Sequence, residues 1–212
     1  MLDDIVYYFD KNFLRLRNLM ALYSTLTTGR GRKSSYHLDL LRSTTVLAHS
    51  TLEDYLRSVL MWKLPSMADS TKLNQVPLVG MSLTGNRETK FKLGDLVAYR
   101  GKTVDEVIEA SIVEYLGMMS FNNTTDIVSA MRSIGVEVTE PMRDCFPLLD
   151  EMIKRRHNIV HRADRDGSRR IGSGNHAYKS ISLIKVKSWI NEIDKFVNEV
   201  NGHLRQTSTQ TR

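Results

Sequence analysis

The stretch PLLDEMIKRRHNIVHRAD, residues 147–164, decides how the rest of the chain is read. At about 100° per residue, Leu149, Met152, Ile153, Ile159, Val160 and Ala163 gather on one side of a helix, and Lys154, His157, Asn158, His161 and Asp164 on the other. The spacing predicts a helix over 146–164, with Pro147 in the first turn, where a missing amide costs nothing. Arg156 falls inside the apolar side. An unpaired buried guanidinium is costly, so Arg156 needs a carboxylate or must reach past the core into a cleft. The candidate carboxylate is Glu53, at the edge of the apolar stripe of an upstream helix; its neighbour Asp54 points further round, toward solvent.

His157 and His161 lie four apart and share a face. Solvated histidines, two ligands of a metal, and proton-transfer groups all fit this spacing. A zinc site needs three or four ligands. The HExxH pattern is absent, because Asn158 follows His157, and the nearby additions are limited to Asp164 and His176. No metal or other cofactor is therefore expected. With an ordinary pKa of ~6.5, histidine suits acid–base work near neutral pH. From Lys154 to Arg170 the chain reads KRRHNIVHRADRDGSRR. Arginine forks match phosphate oxygens. Histidine beside clustered cations, on a helix followed by a basic loop, is a composition for a phosphodiester site. Lys154, Arg155, Arg162, Arg165, Arg169 and Arg170 are the candidate contacts to a nucleic-acid phosphate backbone; a merely solvated basic face is the other reading for Arg165, Arg169 and Arg170. The loop 165–176 has no aromatic side chain for stacking, so its expected role is backbone binding.

Outward from this stretch the chain reads as helices. Ile5, Phe9, Phe13, Leu16, Met20 and Tyr23 recur at three- and four-residue steps over 3–26, and Leu38, Leu41, Thr45, Ala48, Leu52, Leu56 and Val59 do so over 38–63. Between them TTGRGRKSS, 27–35, lacks the spacing of a phosphate-binding loop. Residues 65–92 have little helical period and read as a long loop, with a hairpin possible around QVPLVGMSL. Thr103 and Glu106 form a capping-box pattern for a helix over 103–120. A short helix over 125–134 stops at Gly135. A last helix over 180–204 carries Ile184, Trp189, Ile193, Phe196, Val197 and Val200 on its apolar face. The expectation is a single all-α domain over 1–206, a helical bundle with a loop-rich middle insertion, and a disordered tail at 207–212.

The 212 residues are enough for one full core, and the net charge of +6 leans toward an acidic partner such as nucleic acid without identifying it. Cys145, the one cysteine, cannot form an internal disulfide; with no helper beside it, it reads as a small buried hydrophobe in a reducing cytoplasm. The start of the chain does not read as a signal peptide, and no stretch is long and apolar enough to span a membrane.

At Arg156-His157-Asn158-Ile159-Val160-His161 the sequence resembles the HEPN signature: arginine, a polar residue, three further positions, then histidine. The string RRHNIVHRAD is most similar to the RiboL-PSP-HEPN branch. VLAHSTLEDYLRSVL resembles that family's earlier helix with its acidic residue, and EYLGMMSFNNTTDIVSAMRSIGV its middle segment, so the resemblance covers roughly 36–200. It implies a HEPN-type helical bundle, usually a homodimer, and metal-independent endoribonuclease activity with Arg156 and His161 catalytic and His157 supporting. It also implies a toxin–antitoxin or antiviral defence setting with a neutralising or defence-system partner. On RNA, the 2′-hydroxyl attacks the adjacent phosphorus, leaving a 2′,3′-cyclic phosphate and a 5′-hydroxyl. Some HEPN domains are non-catalytic RNA- or protein-binding regulatory modules, which is the alternative reading. Two residues that diverge by roughly 140° on one helix, as Arg156 and His161 do, also suggest an active site composed across a two-fold dimer.

Overall fold

The computed structural model describes residues 1–29, 33–67, 70–74, 76–78, 93–166 and 178–210. They form an all-α bundle of α1 (Leu2–Leu26), α2 (Ser35–Lys63), α3 (Ser70–Leu73), α4 (Val104–Met118), α5 (Thr124–Ser133), α6 (Glu140–Asp144), α7 (Phe146–Arg162) and α8 (Leu183–Gln210). Short 3-10 turns cover Leu64–Ser66 and Leu93–Tyr99. Among the described residues the one sheet-like feature is an isolated antiparallel bridge between Arg165 and Tyr178.

The central element is α2, which packs against α1, α4, α5, α7 and α8. Its expected stripe from Leu41 to Val59 is buried, but so are Arg42, Thr44, His49, Thr51 and Tyr55. A helix enclosed on several sides must satisfy its polar groups locally. The hydroxyls of Thr44, Thr45 and Thr51 each donate to the carbonyl four residues back, and the Tyr55 hydroxyl donates to Asn201 Oδ1 at 2.7 Å. The whole predicted stripe of α1 is buried. Lys33 Nζ donates to the carbonyls of Thr27 and Gly29 just past the end of α1, so the described end of the basic loop helps terminate that helix.

Helix ends follow the local chemistry. Thr103 and Glu106 make the reciprocal capping box at the start of α4. At the end of α5, Gly135 takes φ +75°, its amide donates to Arg132 and the Val136 amide to Met131; this 6→1 and 5→2 pair is what a left-handed glycine makes possible. Two expectations are corrected. Ile184 is 83% exposed, and Val186 takes its place in the core. The last helix also continues to Gln210, so residues 207–210, expected as tail, are helical. Most of the expected hairpin around QVPLVGMSL lies outside the described residues. No helix among the described residues is long and apolar enough to cross a membrane.

Candidate active site

α7 forms where expected, starting with Pro147 in its first turn. Its first half is a core helix: Leu149, Met152 and Ile153 are buried. Its last turns leave the core. Ile159 is half-buried, Ala163 is exposed, and Val160 is 49% exposed. The predicted apolar side therefore holds for two turns and then opens to solvent, at the turns that carry the histidines.

His157 and His161 are both exposed, with ring centroids 4.5 Å apart and planes tilted by 45°. Lys154, Arg162 and Arg165 are exposed around them. Arg169, Arg170 and His176 lie outside the described residues. Among the described residues no cluster of three or more His, Cys, Asp or Glu side chains has the geometry to hold a metal.

The two arginines of the helix separate sharply. Arg155 Nη2 lies 2.7 Å from Asp164 Oδ2 and also donates to the carbonyls of Lys179 and Ser180, each at 3.0 Å. Arg42 Nε of α2 reaches the same carboxylate oxygen at 2.6 Å, while its Nη1 and Nη2 take Asp39 and the Lys179 carbonyl. Asp164 itself is fully buried. The sequence places it on the polar face; instead Ala163 and Asp164 take left-handed backbone, φ 47° and 56°, which turns the carboxylate inward. Their amides converge on the Asn158 carbonyl, and the Lys179 amide donates to the Asp164 carbonyl. A left-handed non-glycine residue costs about 1 kcal/mol or more, and the doubly paired carboxylate supplies what holds it. Arg155 is thus a structural tie, not an open phosphate ligand. Sequence reasoning missed Arg42, although the signal was present: it sits four residues after Leu38, within the apolar stripe, the same anomaly that singled out Arg156.

Arg156 is half-buried, with its Nε enclosed and without a hydrogen-bond partner among the described residues. The expected ion pair with Glu53 is not formed. Glu53 accepts the Phe121 amide at 3.2 Å and lies 3.6 Å from His49 Nδ1 and 3.9 Å from Arg57 Nη2. His49 is fully buried and its Nε2 donates to the Phe121 carbonyl at 3.0 Å. Burial pushes the His49 pKa down; the Glu53 charge and the Phe121 carbonyl oppose that, and the nearby Arg156 and Arg57 charges reinforce it. Arg156 therefore lies near enough to His49 for its charge to be felt there, and among the described residues its guanidinium is not committed to a carboxylate.

Asp150 fixes the other flank by accepting the amide and hydroxyl of Thr124, at 2.9 and 3.0 Å, which locks α5 to α7. Cys145 is buried, and burial raises its thiol pKa to about 12, so it is no nucleophile. Chemically, the end of α7 offers two solvent-facing imidazoles, an uncommitted guanidinium and flanking cations. That set can exchange protons and neutralise phosphate charge without a metal.

A search of curated proteins and a search of solved structures return no match. The family model described as RiboL-PSP-HEPN matches residues 10–206, nearly the whole chain and all of the site just described. HEPN domains as a class are associated with nuclease activity and RNA binding. The helical bundle, the motif at the exposed end of α7 and this match together place the chain in the RiboL-PSP-HEPN family.

Proposed function

We propose that the protein is a metal-independent endoribonuclease. The observation that carries this reading is the end of α7, where exposed His157 and His161 stand 4.5 Å apart on the same helix as Arg156, whose enclosed Nε has no hydrogen-bond partner among the described residues. The ribose 2′-hydroxyl attacks the adjacent phosphorus as a base removes its proton, and an acid protonates the departing 5′-oxygen. Arg156 stabilises the charge that grows on the phosphoryl oxygens. His161 takes part in the proton transfers or in binding the phosphate, and His157 supports it. The products are a 2′,3′-cyclic phosphate and a 5′-hydroxyl, and DNA, lacking the hydroxyl nucleophile, is left intact.

The reading extends to a homodimer with a composite site, acting in a cytoplasmic toxin–antitoxin or antiviral defence setting under the control of a neutralising or defence-system partner. The test is incubation with single-stranded RNA in excess chelator, with His161→Ala alongside and end-group analysis of the fragments. Cleavage that survives chelation, requires His161 and leaves cyclic phosphate ends is the expected result. Binding without cleavage would make the chain a non-catalytic RNA-binding module, and cleavage that needs added metal would overturn the mechanism.

A further inference from the structure

We propose that the cleft between α7 and the start of α8 holds one nucleotide of the RNA strand, next to the nucleotide being cut. This rests on the endoribonuclease reading and names a part of its substrate site. The cleft has an open volume of about 460 Å³, within the roughly 300–1,000 Å³ of small-ligand sites. Its floor is apolar: Ile181 and Trp189, both buried. Its rim is polar, with Glu151, Lys154 and Asn158 from α7, Ser180 and Ser182 from the chain entering α8, and Lys185 in the first turn of α8. An apolar floor suits a base and a cationic rim suits its phosphate.

Two details distinguish ligand groups from structural ones. Arg155 lines the cleft, but its guanidinium is committed to Asp164 and two carbonyls. Lys185 is held at 2.6 Å by Glu151, and the two side chains are 43% and 45% exposed. Glu151 Oε2 also accepts from Trp189 Nε1 at a long 3.4 Å, and an ion pair this exposed contributes only ~0–1 kcal/mol, so a phosphate can take Lys185 from Glu151 at little cost. Glu151 then acts as a weak competitor for the cation. Lys154, Asn158 and His161 follow one another at four and three residues along one stripe of α7. Asn158 and His161 are separated by roughly 4.5 Å of helix rise. A strand seated in the cleft is thereby led toward His161. With Trp189 buried as floor and few paired donors and acceptors on the rim, the cleft takes nucleotides with little base preference.

The test uses full-length protein and a fluorescein-labelled 2′-O-methyl oligoribonucleotide of mixed sequence, which binds but lacks the nucleophile. Ser180→Trp fills the cleft from an exposed position and should weaken binding tenfold or more. Lys185→Ala should weaken it several-fold and flatten the slope of log K against log salt by about 0.7. Glu151→Gln removes the competitor and should tighten binding, a sign that a merely structural Glu151–Lys185 pair would not give. With unmodified RNA, kcat/KM should fall in Ser180→Trp and Lys185→Ala in step with their loss of affinity. Parent-like affinity in both Ser180→Trp and Lys185→Ala, with the parent binding and cutting RNA, overturns the cleft assignment alone. A parent chain that neither binds nor cuts RNA overturns this inference and the endoribonuclease reading together.

Discussion

Arg155 and Arg156 are adjacent in sequence and opposite in role. Arg155 completes a buried ion cluster, while the enclosed Nε of Arg156 has no partner among the described residues. An enclosed donor without a partner costs about 1–3 kcal/mol, so Arg156→Ala should leave stability unchanged or raise it slightly. The same variant should lower cleavage by about 10²-fold or more, the usual effect of removing a group that stabilises transition-state charge. Urea unfolding and a cleavage assay on one preparation check both halves. Because Glu53 is held by the Phe121 amide, a double-mutant cycle of Arg156→Ala with Glu53→Gln should show coupling near zero in stability. His49 carries a second residue-level expectation. Burial lowers its pKa from 6.5 in the folded chain, so the unfolded chain binds the proton more readily. The stability it contributes is present above about pH 6.5 and is lost as pH falls below that value. The urea midpoint should drop between about pH 7.5 and 5.5, and His49→Gln should show a smaller drop while being less stable at the higher pH.

Elements differ in how far sequence reveals them, and the reason is what their neighbours do. The stripes of α1 and α2 were legible because long helices repeat the same environment over many turns. On α7 the period reads correctly for Leu149, Met152 and Ile153 and then fails, because Ile159 and Val160 meet solvent instead of core. α3 and α6 are too short for any period to register. The roles proposed for Arg156 and His161 rest on the family motif, but that His157 and His161 share one face of α7 was legible from their spacing. The tie behind them was not: Arg42 and Asp164 are 122 residues apart, and nothing local announces that Asp164 turns inward. That tie joins α2, the end of α7 and the approach to α8, and its Asp164 lies three residues after His161. Asp164→Ala would leave Arg42 and Arg155 as buried cations without their shared carboxylate. Removing one partner of a buried pair costs about 3–5 kcal/mol, and the remaining Asp39 contact of Arg42 places this case toward the lower end. Denaturant unfolding should show that loss, and the resonances of the His157 and His161 rings should shift even where the chain remains folded. Unchanged stability and unchanged histidine resonances would remove Asp164 from any positioning role.

At the scale of the whole molecule, one chain presents an incomplete arrangement. Arg156 and His161 diverge by roughly 140° around α7 at ~100° per residue. His161 faces solvent, whereas Arg156 is half-buried and close enough to the buried His49 for its charge to be felt there. Val160, beside His161, is 49% exposed, and Ile184 near the start of α8 is 83% exposed. A two-fold axis at the end of α7 would cover such apolar groups and bring two arginines and two histidines around one cleft, since a two-fold interface uses the same patch on both subunits. We therefore expect the active species to be a homodimer whose cutting site takes Arg156 from one subunit and His161 from the other. Light scattering at assay concentration should give twice the chain mass, and Val160→Asp should lower both the dimer fraction and the activity. Mixing Arg156→Ala with His161→Ala subunits then separates a shared site from two private ones. If the groups come from different chains, each mixed dimer keeps one intact Arg156–His161 pair. Random pairing makes half of the dimers mixed, so activity should recover to about a quarter of the parent's from two nearly inactive preparations. If both groups of a site come from one chain, no combination of the two variants contains an intact pair, and the mixture stays inactive. A monomer with full activity at working dilution would rule out the shared site.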